Sequence, residues 1–202
     1  MPSRRDKDVR TERFPPMSIS KSAWLQDGSD DVFRGFIYKL LSLSSLLLQS
    51  REWFAGYIGV SGPQYSMMMI VAETDGATVG QIATTLDVSG SFVTTELGKL
   101  QRRQIVVKRP NVSDARSTLI ALTDLGHRLL LDLGPLRLEV NDMMYGSLTD
   151  AQVKQLTAIV DTLHADAART LHMLNSPEYR DLVAPSNKGG VDSQSAPHTS
   201  VS

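Results

Sequence analysis

Short hydroxyl side chains and basic side chains are concentrated between Ser89 and Arg116, a combination suited to hydrogen bonding with phosphates and base edges. Threonine methyl groups can also pack on thymine methyl groups, and lysine and arginine bind phosphate whatever the base sequence. Phe92 either packs under a turn or contacts bases, and packing is the commoner role of an aromatic residue. The candidate DNA contacts are Ser89, Gly90, Ser91, Thr94, Thr95, Lys99, Arg103, Lys108, Arg109 and Arg116.

The charge of this segment differs from that of the whole chain. From Glu96 to Arg116 there are six basic and two acidic residues, a local balance of +4, whereas the chain has a formal net charge of -1. A basic face on a nearly neutral chain is typical of nucleic-acid binding. A solvated charged face produces the same count about as often, so charge alone leaves both interpretations open.

Two short helices separated by a tight turn are predicted to present these side chains. Thr78 and Gln81 form a capping box for the first helix, and Ser89 or Ser91 caps the second. The turn lies at Asp87, since aspartate tolerates the left-handed conformation better than most residues. Apolar residues at helical spacing predict an inner face made of Ile82, Ala83, Leu86, Val93, Leu97 and Leu100.

A two-stranded wing is predicted to follow the second helix. Val106 to Pro110 and Ser117 to Leu122 are β-prone runs joined by a short polar turn. Arg116 at the wing tip could enter a narrow minor groove, whereas Lys108 and Arg109 are better placed for phosphates. The two helices and the wing together predict a winged helix-turn-helix, whose second helix enters the major groove by its N-terminal end.

The flanks of this segment are predicted to form a helical dimerisation region. A helix at about residues 30–56 is apolar on more than one face, so it needs a larger cover than one small domain provides. The region 123–176 includes a last helix opened by a capping box at Thr149 and Gln152. Its apolar residues alternate spacings of three and four, as in a helix packed on a helix: Val153, Leu156, Val160, Leu163 and Ala167.

The length of 202 residues suits one domain with an extended oligomerisation element. Residues 1–28 are predicted to be a mobile arm and residues 183–202 a disordered tail, because both are polar and contain proline. Residues 29–182 then form a single domain, with the winged helix-turn-helix at about 62–122. The predicted fold class is mainly α with a small β-wing.

Several classes of protein are disfavoured by composition. The chain has no cysteine, which removes disulfides and thiolate chemistry, and its most apolar run, Phe36 to Leu48, is shorter than a membrane span. No secretory signal opens the sequence, so a cytoplasmic location is expected. The glycines around Ser61 miss a nucleophile elbow because of Pro63, and the four histidines lack zinc-protease spacing. We therefore expect no catalysis, no cofactor and no metal.

Two stretches carry a family resemblance: TVGQIATTLDVSGSFVTTELGKLQRRQIV from Thr78 and KRPNVSDARSTLIALTDLGHRLL from Lys108. Together with Gln64 in the preceding helix, they resemble the MarR family of bacterial transcriptional regulators over about 70 residues. The D-A-R ending at Arg116 and the L-T-D-L-G ending at Gly126 match the family's wing and fifth helix. Gln104 departs from the pattern, since the family usually has glycine there.

The resemblance implies a homodimer that places two recognition helices about one DNA turn apart on a pseudo-palindrome. It also implies, for many members, release from double-stranded DNA when a small aromatic acid or its thioester binds between the dimer region and the DNA-binding lobe. Repression is the usual mode of action in the family. Candidate ligand residues near that junction are Arg51, Trp53, Tyr57, Tyr65, Met68 and Met69, with Arg51 as the carboxylate partner.

Two alternatives stay open. The aromatic and methionine residues of the ligand set could serve only as core, which is the commoner role of such stripes. A winged helix can also bind protein and not DNA, although the basic segment and the arginine of the wing argue against that use here. The prediction is therefore a DNA-binding transcription regulator, with a protein-interaction module as the alternative.

Overall fold

The computed structural model describes residues 14–111 and 116–183. Within them the chain is mainly helical with one two-stranded antiparallel sheet, which confirms the predicted fold class. Residues 112–115 of the predicted wing turn, residues 1–13 of the predicted arm and residues 184–202 of the predicted tail lie outside the described residues. The elements are α1 (Asp31–Tyr57), α2 (Gly62–Glu73), α3 (Val79–Leu86), α4 (Gly90–Arg102), β1 (Val106–Pro110), β2 (Thr118–Leu122), α5 (Asp124–Tyr145), α6 (Asp150–Leu174) and α7 (Pro177–Val183).

Helix starts follow the capping residues of the sequence. The Thr78 hydroxyl accepts a hydrogen bond from the Gln81 amide at 3.2 Å, and the Gln81 side chain accepts one from the Thr78 amide at 2.8 Å. Thr149 and Gln152 form the same reciprocal pair at the start of α6. Both predicted capping boxes are confirmed, because each pair satisfies amide groups that the helix itself leaves unbonded.

The core of the winged helix-turn-helix lies between α2, α3, α4 and the wing. Ile82 of α3 and Val93 and Leu100 of α4 are fully buried against Met67 and Met68 of α2. The helical spacing of these apolar residues gives α3 and α4 one buried face each, so their polar faces remain outside. The packing thereby fixes which side of α4 is presented to a partner.

The wing is joined to the loop before α3. Val106 pairs with Leu122 and Pro110 with Thr118 in the β1–β2 ladder. Ala77 adds an isolated bridge to Ile120, with N···O distances of 3.0 and 2.8 Å. The sequence analysis did not predict this bridge, because a single paired residue has no periodicity to reveal it. It ties the base of the wing to the start of the helix-turn-helix.

Part of the predicted N-terminal arm contacts α1. The Ser18 amide and hydroxyl donate to Asp30 Oδ2 at 2.7 and 2.6 Å, and Asp30 is fully buried. The ring of Trp24 lies 5.5 Å from that of Phe33 and 4.9 Å from that of Phe36. A buried carboxylate needs donors and an aromatic face needs cover, and this segment supplies both. Ser18 and Trp24 of the predicted arm, residues 1–28, thus contact the start of α1.

The chain divides into two compact units, the second starting at Asn141. This unit includes α6, whose predicted apolar residues are about half exposed, from Leu163 at 40% to Val160 at 50%. It also includes α7, a seven-residue helix that the sequence analysis missed, in which the Ser176 hydroxyl accepts from the Tyr179 amide at 3.2 Å. None of the described helices is long and apolar enough to cross a membrane.

Candidate nucleic-acid interface

The turn before α4 aims the helix N-terminus outward. Asp87 ends α3 in the left-handed conformation, with φ 52° and ψ 49°, as its residue type predicted. Ser89 is the N-cap of α4, and its hydroxyl accepts from the Phe92 amide at 3.2 Å. The Ser91 hydroxyl lies 3.1 Å from that of Ser89. These serines and Gly90 are exposed, so the predicted contact residues at this end lie on an open surface.

Thr94 and Thr95 extend the exposed face by one turn. The Thr94 hydroxyl donates to the Gly90 carbonyl oxygen at 2.8 Å, and the Thr95 hydroxyl donates to that of Ser91 at 3.0 Å. Each hydroxyl proton is thus used within the helix, while the oxygen lone pairs and the methyl group remain available. The two threonines therefore present hydrogen-bond acceptors and apolar methyl groups. Phe92 lies on the same end of α4 and exposes 38% of its surface.

The inner face of α4 includes a carboxylate. Val93, Leu97 and Leu100 are buried as predicted, and Glu96 is only 8% exposed among them. Lys99 Nζ donates to Glu96 Oε1 at 2.5 Å, and Gln64 Nε2 donates to Oε2 at 2.8 Å. The lysine bond, with help from Gln64, lowers the pKa of Glu96 although burial opposes the shift. The sequence analysis missed this residue, yet its spacing of three from Val93 places it on the buried side of the helix.

Several predicted DNA-contacting cations bind groups of their own chain. Besides Lys99, Arg103 donates from Nη1 to the Gly59 carbonyl oxygen at 2.7 Å. Arg109 Nη2 lies 3.5 Å from the exposed carboxylate of Asp75. The local balance of +4 already subtracts Glu96, but Asp75 lies outside the counted segment and offsets one further cation. The positive surface that faces outward is smaller than the sequence count indicates.

The wing contributes two further predicted cations. Lys108 is exposed on β1, opposite Ile120 in the ladder. Arg116, the last residue of the D-A-R, is exposed, and the two residues before it, Asp114 and Ala115, lie outside the described residues. Gln104, between α4 and β1, has φ 57° and is therefore in the left-handed conformation. Glycine adopts this conformation most easily, which explains why the MarR family usually has glycine at this position. The glutamine does not prevent the turn that starts the wing.

The predicted ligand residues do not come together in one place. Tyr65 and Met68 belong to the buried core, whereas Trp53 and Tyr57 are more than half exposed on α1, with stacked rings 6.3 Å apart. Arg51 Nη2 lies 3.3 Å from Glu52 Oε1. The separation follows from helix geometry, because residues four apart share one face of α1 and the adjacent Phe54 faces the core.

A cavity of about 320 Å³ lies between α2 and α5. Its walls are mostly apolar, and Met69 is the only member of the predicted ligand set among its lining residues. Arg137 also lines it, with Nη1 3.4 Å from the Tyr65 hydroxyl oxygen and 2.9 Å from Met69 Sδ. An apolar cavity with one guanidinium suits a small apolar molecule that carries an anionic group. The described residues include no group of three His, Asp or Glu side chains able to hold a metal ion.

Residues 58–117 match the family model described as MarR family. Among solved structures, the chain is similar to a MarR/EmrR family transcriptional regulator from Acinetobacter sp. ADP1, with 16% identity, a TM-score of 0.61 and coverage of 69% of this chain and 99% of that chain. It is similar to S. aureus MepR in a DNA complex, with 19% identity, a TM-score of 0.58 and coverage of 65% and 96%.

A third similar structure is a MarR family transcriptional regulator from Listeria monocytogenes complexed with DNA, with 13% identity, a TM-score of 0.59 and coverage of 66% and 89%. At these identities the structural likeness establishes the fold. No curated protein sequence matches the chain.

Proposed function

We propose that this chain, whose residues 58–117 belong to the MarR family, is a transcription regulator that binds a specific sequence of double-stranded DNA. The main support is the exposed N-terminal half of α4, which carries Ser91, Thr94 and Thr95. The opposite face of this helix is packed in the core. A helix held in this way can enter the major groove with its first turns against base edges. Lys108 and Arg116 of the wing then contact the DNA backbone and the minor groove.

The hydroxyl geometry indicates what α4 reads. Because Thr94 and Thr95 donate their protons to the helix, they act toward DNA as acceptors. The donors in the major groove are the amino groups of adenine and cytosine, and the thymine methyl is the apolar group. We therefore expect a preference for bases with these groups at the positions under α4.

Gel shifts of labelled random duplexes and of genomic fragments from the source organism test the proposal, with excess unlabelled random DNA present. Retention of particular fragments against that competitor supports a sequence-specific reader. Equal binding of all fragments would contradict sequence specificity, and no binding by folded protein would favour the alternative, a winged helix that binds protein. The exposed hydroxyl face favours DNA, because protein interfaces are depleted in serine.

A homodimer would explain two unpartnered apolar surfaces. On α1, Tyr38 is 67% exposed and Leu41 is 61% exposed, and the regularly spaced apolar residues of α6 are about half exposed. Isolated exposed leucines are ordinary, but rows of them along long helices are typical of protein interfaces. Two copies related by a two-fold axis would present two α4 helices to a pseudo-palindromic operator. Sedimentation equilibrium distinguishes this dimer from a monomer.

Ligand control is the last part of the proposal. The cavity beside Arg137 supports a small aromatic acid or its thioester as effector, with the guanidinium bonding the carboxylate. A regulator that leaves its operator when the effector binds would act as a repressor. A thermal-shift screen of aromatic acids, repeated with Arg137→Gln, tests the site, and a stabilisation that the variant keeps in full would contradict it.

A further inference from the structure

Glu96 lies in an unusual position for a charged residue. It occupies the buried face of α4 at 8% exposure, where the periodicity of the helix places apolar side chains. An ionised carboxylate in such a place is stable only with hydrogen-bonding or charged partners. Gln64 and Lys99 are those partners, one for each carboxylate oxygen.

The side chain of Gln64, the first of these partners, is fixed by a second hydrogen bond. Its Oε1 accepts from the Ser61 amide at 3.2 Å, as part of the capping box that opens α2. In the same turn, Glu52 of α1 accepts from the Gly62 amide at 2.8 Å. The Gln64 side-chain amide therefore bonds at both ends, with its oxygen to Ser61 and its nitrogen to Glu96.

The Lys99 partner is therefore not a free cation. Its Nζ lies 2.5 Å from Glu96 Oε1, and moving it to a DNA phosphate would leave a buried carboxylate with only the neutral Gln64 amide beside it. Binding of Lys99 to a phosphate must therefore offset the free energy that is lost when the buried Glu96 carboxylate is left without its charged partner. Flexible lysines on exposed faces carry no such penalty.

We propose that Glu96 is a positioning residue that holds the Lys99 ammonium away from the DNA backbone, so that α4 binds through its hydroxyl face and not through charge. The proposal rests on the proposed DNA binding. Withholding one cation lowers the affinity and the salt dependence for all sequences alike and leaves base contacts unchanged, so base contacts supply a larger share of the binding free energy. Glu96 thus lowers the charge-dependent affinity for DNA without touching DNA.

Glu96→Gln is the informative variant, because its side-chain oxygen can still accept from Gln64 while the attraction for Lys99 is lost. Binding to random duplex is measured as a function of salt. Each added phosphate contact steepens the dependence of log affinity on log salt by about 0.9, which is roughly a threefold greater loss between about 50 and about 200 mM salt. We expect this steepening per protomer in Glu96→Gln and its disappearance in the double variant Glu96→Gln with Lys99→Gln.

Glu73→Gln is the matched control, since it makes the same chemical change at the exposed end of α2 and should keep the wild-type salt dependence. A Glu96→Gln protein that folds and keeps the wild-type slope overturns the proposal. So does a steeper slope that persists when Lys99 is also replaced.

A second measurement needs no DNA and separates this proposal from the proposed function. The denaturation midpoints of Glu96→Gln, Lys99→Gln and the double variant form a cycle. If the double variant loses less stability than the two single variants together, the Glu96–Lys99 pair stabilises the fold. This result supports the proposal even for a protein that fails to bind duplex. Additive losses contradict it, whatever the DNA result.

Discussion

The hydroxyl of Thr123 donates a hydrogen bond to the carbonyl oxygen of Gln104 at 2.6 Å, although the residues are 19 apart in sequence. The Thr123 amide also donates to the Ile105 carbonyl oxygen at 3.0 Å, and its hydroxyl oxygen accepts from the Gly126 amide at 3.2 Å. Thr123 therefore caps α5 and closes the base of the wing at once. It joins the start of α5 to the residues between α4 and β1.

Replacing Thr123 with valine should destabilise the protein. The change keeps the shape of the side chain but removes the α5 cap and leaves the Gln104 carbonyl oxygen without its partner. The loss of a helix cap costs about 0.5–2 kcal/mol of the free energy of unfolding, which urea denaturation measures. Thr157→Val is the control, because that hydroxyl bonds only within exposed α6. Equal effects of the two changes would refute the capping role.

Gln104→Gly should stabilise the fold. Gln104 has φ 57°, where a side chain costs about 1–2 kcal/mol, while glycine loses about 0.5–1 kcal/mol in chain entropy. The expected net gain in unfolding free energy is up to about 1 kcal/mol by denaturation. Asp87→Gly, at φ 52°, should gain less because aspartate tolerates this region better. A destabilised Gln104→Gly protein would show that the glutamine side chain contributes more than its strain costs.

The sequence predicted those features of the fold that depend on residues close to one another in the chain. Capping boxes at Thr78 and Thr149 and the left-handed turn at Asp87 depend on neighbours in the chain, and all three are confirmed. Which basic side chains remain available for DNA could not be predicted in this way. Glu96 bonds Gln64 from 32 residues away, and Arg103 bonds Gly59 from 44 away, so the free basic surface depends on the packed fold.

The N-terminal segment should make acid stability depend on Asp30. Hydrogen bonds from Ser18, ahead of the charge of Arg34, lower the pKa of Asp30 from 3.8 to about 2. A depressed carboxylate pKa contributes stability that is present above the unfolded pKa and is lost as pH falls through the folded one. The difference in unfolding free energy between wild type and Asp30→Asn should therefore shrink as pH falls from 3.8 to about 2.

Urea denaturation at several pH values measures that difference, with Ser18→Ala as a second variant. Removing Ser18 takes away the largest cause of the shift, so the pH dependence should weaken in that background. A difference between wild type and Asp30→Asn that stays constant over the window would contradict the assignment.

Thr94→Ala and Lys108→Gln should separate base reading from phosphate binding. Loss of one acceptor and one methyl group should change the preferred base at one position of each half-site, by up to about tenfold for a single hydrogen bond. Loss of Lys108 should instead weaken binding to all sequences and reduce the salt slope by about one per contact. Competition binding with a duplex panel measures both effects. Equal losses on preferred and random DNA in both variants would count against a reading role for Thr94.

In the proposed homodimer, two copies of α4 read one DNA sequence. Full-length protein is used to select duplexes from a random-sequence pool, and the bound fraction is sequenced over several rounds. We predict one enriched motif with two inverted half-sites whose centres are about 10 base pairs apart. A pool that stays unchanged with folded protein, or an enriched motif with a single half-site, would contradict reading by two α4 helices.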